Sequence, residues 1–197
     1  EMTSSLVGSE MCIRDSITEL CTFIKRMAVD TLHIVGDIFD RGPHADVILD
    51  NLMGHHSVDI QWGNHDVLWM GAAAGSPVCV AIAVKNCIQY DNMDMLENAY
   101  GINLLPLAVF SDVTYRDAAV FRPRVLPAGH SLPRDSELFS RMHKAMCVIM
   151  FKLEGQIIAR RPEYQMSDRD MLSRINYKDG TIEIDGTVYP LRDTDFP

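Results

Sequence analysis

A chain of 197 residues, 47% of them apolar, is long enough to bury a core in one domain or in one domain plus a lobe. Its formal net charge of -9 argues against a nucleic-acid binder, which would present a basic stripe to the phosphate backbone. No run of about 18 apolar residues occurs, and no basic segment leads into an apolar one, so neither a membrane span nor a secretory signal is expected.

The five cysteines, Cys12, Cys21, Cys79, Cys87 and Cys147, include no C-x-x-C pair and several fall within apolar helical patterns. They read as reduced core thiols of a cytoplasmic protein.

Residues 1–16 lack a consistent period and resemble translated adaptor sequence; they are expected to be a non-native or disordered tail. From residue 17 to 29, apolar positions at 17, 20, 21, 24, 27 and 28 define a helical face. A short strand over 31–35 follows and ends in Gly36-Asp37-Ile38-Phe39-Asp40-Arg41-Gly42. After Pro43, a helix-start signal, apolar residues at 45, 48, 49 and 52 again share one helical face. A second strand over 57–62 ends in Gly63-Asn64-His65-Asp66. His55-His56, at its entrance, read as a solvated turn.

Strand, helix, strand predicts a βαβ crossover with two parallel strands. In such a sheet ligands bind beyond the carboxyl ends of the strands. The polar tips Asp37, Asp40, Arg41, Asn64, His65 and Asp66 should therefore gather at one edge.

Downstream the pattern turns helical. Ser76-Pro77 opens a helix over 78–90, Asp91 to Asp94 cap another over 95–100, and residues 104–110 form a short buried helix. Residues 111–135, with Pro123, Pro127 and Pro133, read as a linker or loop. A long helix over 136–161 carries Leu138, Met142, Ala145, Met146, Ile149, Met150, Leu153 and Ile157 on one face, a stripe that belongs in a core. Residues 167–175 suggest another short helix, and residues 180–191 a hairpin with Asp185-Gly186 at its turn. The organisation expected is thus a tail (1–16), an α/β core (17–110), a linker (111–135), and a helical segment with a hairpin (136–197).

An Asp at the end of an apolar strand loses hydration and stays ionised cheaply only when paired or bound to a cation. Asp37 and Asp40 share their edge with Asn64, His65 and a single Arg41. Carboxylate, amide oxygen and imidazole suit a hard or borderline divalent cation, and the two oxygens of Asp37 could bridge a pair. Two-ion sites activate water and clamp a phosphate in line. His65 could then act as an acid with Asp40 fixing its orientation, while the Arg41 fork suits a phosphoryl group.

The two blocks resemble the second and third signatures of the calcineurin-like metallophosphoesterases. The wider text, including Tyr100-Gly101-Ile102-Asn103-Leu104-Leu105-Pro106-Leu107 and Phe151-Lys152-Leu153-Glu154, resembles the class III fructose-1,6-bisphosphatases over about residues 17–197. The resemblance implies a partial metallophosphoesterase core carrying the metal site at the strand ends, with a helical region and a C-terminal hairpin. It implies hydrolysis of the 1-phosphate of fructose 1,6-bisphosphate in gluconeogenesis, with manganese or a similar ion, two in the complete enzyme. It assigns Asp37 as the bridging metal ligand and Asn64 as ligand to the second ion. It makes His65 the acid, Asp40 its orienting carboxylate, Arg41 a phosphate contact, and Asp66 at most a supporting residue.

The family's first signature, Asp-x-His, has no counterpart before Asp37, since Asp30 and His33 are spaced differently. Its late Gly-His metal sites have only a superficial echo in Gly129-His130-Ser131, and His143 sits mid-helix. The chain is therefore expected to be an internal fragment, inactive or slow alone. The alternatives are a phosphoprotein or nucleotide phosphatase of the same superfamily, a non-catalytic remnant, and a thiol sensor.

Overall fold

A computed structural model describes the backbone of residues 2–124 and 133–195, and the side chains of 11–124 and 136–195. The architecture is mixed α/β. Helix α1 (Met2–Ala28) leads to strand β1 (Leu32–Ile34), helix α2 (Ala45–Met53) and strand β2 (Val58–Ile60). Helices α3 (Asn64–Ala73) and α4 (Pro77–Gln89), a π-helical turn (Met95–Ala99) and helix α5 (Leu105–Thr114) follow. Helix α6 (Pro133–Arg160), a run of 3-10 turns, and strands β3 (Ile175–Asn176), β4 (Thr181–Ile184) and β5 (Thr187–Pro190) complete it.

β1 and β2 pair in parallel, Leu32 opposite Val58 and Ile34 opposite Ile60, with α2 between them in sequence. The expected βαβ unit is therefore present, with each strand shorter than its apolar run because the loops beyond Ile34 and Ile60 leave the ladder to form the candidate site. The three-residue strands leave Val35 and Trp62 exposed. β3, β4 and β5 form a separate antiparallel sheet. Its hairpin turns at Asp185 and Gly186, whose φ angles of 50° and 76° match the mirror-image turn that Asp-Gly favours.

The core lies between the helices. α6 packs along α4 and α5, and α4 along α3. Met142, Ala145 and Met146 are buried, with Leu138, Ile149, Met150 and Leu153 partly so, against Ala81, Val84, Cys87 and Ile88 of α4 and Leu96 and Leu104 beyond it. The methionine stripe is thus core, filling an irregular seam with unbranched side chains.

The segment 1–16, expected to be a non-native or disordered tail, is helical from Met2 and continuous with the helix expected from residue 17, as no proline interrupts it. The apolar face of α1 is not core: Ile17, Leu20, Ile24 and Met27 are exposed, so helical periodicity is present without a covering partner among the described residues. Cys12 and Cys21 are accordingly exposed, whereas Cys87 is buried and its thiol pushed up to about 12 by loss of hydration. The stretch 111–135, read as a linker or loop, begins inside α5. α5 runs to Thr114, Ser111, Tyr115 and Ala118 are buried, and residues 119–121 form a 3-10 turn. The remainder, residues 125–132, lies outside the described residues, and with it His130.

His143 serves packing. Its Nδ1 lies 2.7 Å from the Phe121 carbonyl, and its Nε2 is buried with no partner among the described residues. Burial holds its pKa below the ordinary histidine value, against the Phe121 carbonyl, which raises it, and helped by Lys85. The unfolded chain takes up this proton more readily, so His143 contributes a loss of stability as pH falls below about 6.5. Urea midpoints between pH 7 and 5 should fall less steeply for His143→Gln than for the parent. The difference is at most about 1.4 kcal/mol per pH unit, and equal slopes would contradict the assignment.

Candidate active site at the strand ends

The site is built where both loops leave the parallel pair at the same level. Beyond Ile34 the chain turns through Gly36 (φ 93°) and Asp37 (φ 54°). A left-handed Asp is uncommon but tolerated, because its short side chain can bond locally. The two loops run in backbone contact here. A Cβ on Gly36 would lie 2.7 Å from the Gln61 carbonyl, and one on Gly63 would lie 2.6 Å from the Asp37 nitrogen and run into its carboxylate. Only glycine fits at either position.

Gly63 caps α3, so Asn64, His65 and Asp66 occupy its first turn. The free N–H groups and positive dipole end of that turn favour carboxylates. Asp37 Oδ1 accepts the His65 backbone N–H at 3.2 Å. Asp66, only 7% exposed, accepts three backbone N–H groups: Asp37 at 2.6 Å and Gly63 at 2.9 Å on Oδ2, and Phe39 at 3.2 Å on Oδ1. One carboxylate therefore ties the first loop to the second. This is a larger role than the sequence alone assigns, because the three donors come from both loops and only the fold brings them together.

Asp40 Oδ1 lies 3.0 Å from His65 Nε2 and 3.4 Å from Arg41 Nε. The imidazole is four-fifths covered on one side of this pair, while Arg41 is exposed. Phe39 stacks on Trp69 at 4.4 Å between centroids, anchoring the loop that carries Asp40. The structure thus brings Asp37, Asp40, Arg41, His65 and Asp66 into one hydrogen-bonded and ion-paired cluster, with Asn64 between Gly63 and His65 on the same turn.

The donor chemistry suits a divalent cation in part. Asp37 Oδ2 receives no hydrogen bond among the described residues, and an amide and a second carboxylate stand nearby in the chain. Among the described residues, however, no group of three His, Cys, Asp or Glu side chains is assembled closely enough to hold an ion. His143 is turned instead toward the Phe121 carbonyl.

Sequence reasoning missed the wall behind Arg41. The Arg41 guanidinium lies 5.6 Å from the centre of the Tyr90 ring, and Asn92 Nδ2 donates to the Arg41 carbonyl at 3.2 Å. Arg124 also sits on Tyr90, with its guanidinium 5.8 Å from the ring centre and Nη1 donating to the hydroxyl at 3.0 Å. No local signal marks these residues. Tyr90 ends a helix, and Arg124 falls in the proline-containing stretch read as linker.

The pattern of the Firmicute fructose-1,6-bisphosphatase family matches residues 3–197. A class 3 fructose-1,6-bisphosphatase of Alkaliphilus metalliredigens is 52% identical over 183 residues, covering 92% of this chain and 28% of the relative. One from Clostridium beijerinckii is 52% identical over 186 residues, covering 93% and 28%. One from Porphyromonas gingivalis is 50% identical over 196 residues, covering 98% and 30%. The chain therefore spans somewhat under a third of the length of the curated relatives it matches. No solved structure matches. Among the described residues no helix is long and apolar enough to cross a membrane.

Proposed function

The chain belongs to the Firmicute fructose-1,6-bisphosphatase family, and from that premise we propose that it forms part of a metal-dependent phosphatase. The enzyme converts fructose 1,6-bisphosphate to fructose 6-phosphate and phosphate in the cytoplasm, on a metallophosphoesterase core. The observation that carries this reading is the pairing of Asp37 with the first turn of α3, beside the Asp40–His65 couple.

In this reading Asp37 and Asn64 hold divalent ions, manganese or one like it, with further ligands coming from polypeptide outside these 197 residues. Such ions supply Lewis acidity for the phosphoryl oxygens and acidify water. The residues of this chain do the rest. Asp40 holds His65 by Nε2, which leaves Nδ1 to carry the proton to the departing sugar oxygen. Arg41, exposed at the rim, offers a planar fork to the phosphoryl group. Asp66 keeps both loops in place by accepting backbone N–H groups from each of them.

The test is manganese-dependent phosphate release from fructose 1,6-bisphosphate by the full-length enzyme. Asp37→Asn should lower both manganese affinity and turnover by more than the roughly 10–100-fold typical of residues that only support a ligand. A parent protein without such turnover, or an Asp37→Asn variant with unchanged manganese binding, would sink the proposal. A panel of phosphoproteins and nucleotides run alongside separates the sugar phosphatase from other enzymes of its chemistry.

A further inference from the structure

We propose that Arg124, held in place by Tyr90, grips the second phosphate of a bisphosphate substrate while Arg41 grips the one that is cleaved. The inference rests on the phosphatase reading and deepens it, naming the residue that selects a bisphosphate over a monophosphate.

Three observations carry it. First, the Tyr90 ring holds two guanidinium groups at once, Arg41 at 5.6 Å and Arg124 at 5.8 Å from its centre. Two cations placed around one small ring repel each other, so the arrangement is favourable where an anionic ligand lies against both. Their common anchor fixes the second cation within reach of the site, beside the Asp40–His65 couple that Arg41 adjoins.

Second, Arg124 is unspent. Its side chain donates one hydrogen bond, to the Tyr90 hydroxyl, and pairs with no carboxylate among the described residues. A guanidinium has five N–H donors in a fixed fork, so most of its capacity faces outward. Arg41 differs, because Asp40 already takes part of its charge. Third, Arg124 is held at both ends. Its backbone N–H donates to the Gln89 carbonyl at 3.0 Å while its head bonds to the next residue, Tyr90. A long flexible side chain tied at backbone and tip has lost much of its freedom before a ligand arrives, which is what a selective contact needs.

The acidic balance of the chain sharpens the point. A substrate bearing two phosphates approaches a loop cluster that already holds Asp37, Asp40 and Asp66. Arg41 alone cannot offset both phosphates, and Arg124 is the second cation that the fold supplies at the same wall.

The experiment compares hydrolysis of fructose 1,6-bisphosphate and fructose 1-phosphate by the full-length enzyme and its Arg124→Ala, Arg124→Lys and Tyr90→Phe variants. Arg124→Ala should raise KM for the bisphosphate and lower its kcat/KM preference over the monophosphate by about 10–100-fold, the worth of a charged hydrogen bond to phosphate. Arg124→Lys should recover part of that preference. Tyr90→Phe, which removes only the hydroxyl, should lower it less than Arg124→Ala. Equal losses on both substrates would mark Arg124 as a merely structural residue and overturn the inference, as would an unchanged preference. If the parent hydrolyses neither sugar phosphate, the phosphatase reading itself fails. The inference is then decided by calorimetric titration with the same two sugars: weaker bisphosphate binding in Arg124→Ala, with the monophosphate little changed, upholds it, and equal affinities for parent and variant overturn it.

Discussion

Replacing Asp66 by alanine is expected to destabilise the protein by about 4 kcal/mol and to abolish the arrangement of both loops, because three partly buried N–H groups would lose a charged acceptor. Each such bond is worth roughly 1.5–3 kcal/mol, and the three share one carboxylate, so their losses do not add in full. The cost falls where the backbone is already unfavourable. Asp37 has a φ of 54° and keeps it while Asp66 holds its N–H at 2.6 Å. Without that grip the Asp37 carboxylate leaves the first turn of α3, and whatever it binds goes with it. Thermal unfolding of Asp66→Ala should therefore show both a lower midpoint and no manganese-dependent rise in that midpoint. A variant with the parent's stability, or one whose midpoint still rises with manganese as the parent's does, would refute the keystone role. Asp66→Asn, which keeps one oxygen, should retain part of the stability.

The second large effect lies at the far end of the core. Lys144 is completely buried on α6, with its ammonium 2.8 Å from Asp193 and 3.3 Å from Asp195, donating to the Asp117 carbonyl at 2.8 Å, and lying 4.9 Å from the centre of the Tyr115 ring. Asp195 in turn accepts the backbone N–H groups of Arg116 and Asp117. One cation thus fastens both the segment after α5 and the segment after β5 onto α6. Removing one partner of a buried ion pair strands the other, at about 3–5 kcal/mol. Lys144→Met should fall in that range by urea unfolding, whereas a change under about 1 kcal/mol would show the pair to be no better than a surface bridge. The Asp195 carboxyl is held below the usual carboxylate range, first by the Arg116 and Asp117 N–H groups and then by Lys144. A depressed carboxylate contributes stability that is present above its unfolded pKa of about 4 and lost as pH falls through the folded value. In Lys144→Met the NMR titration of Asp195 should move up only partway, because the backbone donors remain.

How much of this was legible beforehand differs between the two ends of the molecule. The Gly36–Gly42 and Gly63–Asp66 blocks could be read as loops from one parallel sheet, since apolar runs ending in Gly and Asp have few other uses. The structure pairs the strands in the register that sets the two loops side by side. The methionine stripe of α6 was equally plain, because helical spacing fixes which residues share a face. The apolar face of α1 was plain in the same way and yet covers nothing among the described residues, because period says that a face exists and not what lies against it.

Sequence by itself determined most of the local conformations and the cast of chemical groups, for both follow from residue type and spacing along one stretch of chain. It put Asp37, Asp40, Arg41, Asn64 and His65 at the strand ends and the turn at Asp185-Gly186. Only the tertiary structure decided that Asp66 holds three donors from two loops, that Lys144 joins segments some 50 residues apart in sequence, and that Arg124 comes to rest on the same ring as Arg41. Those contacts depend on distances between parts of the chain that no local pattern encodes. They exist because burying the apolar faces of α4 and α6 leaves the polar groups around them few other places to find partners.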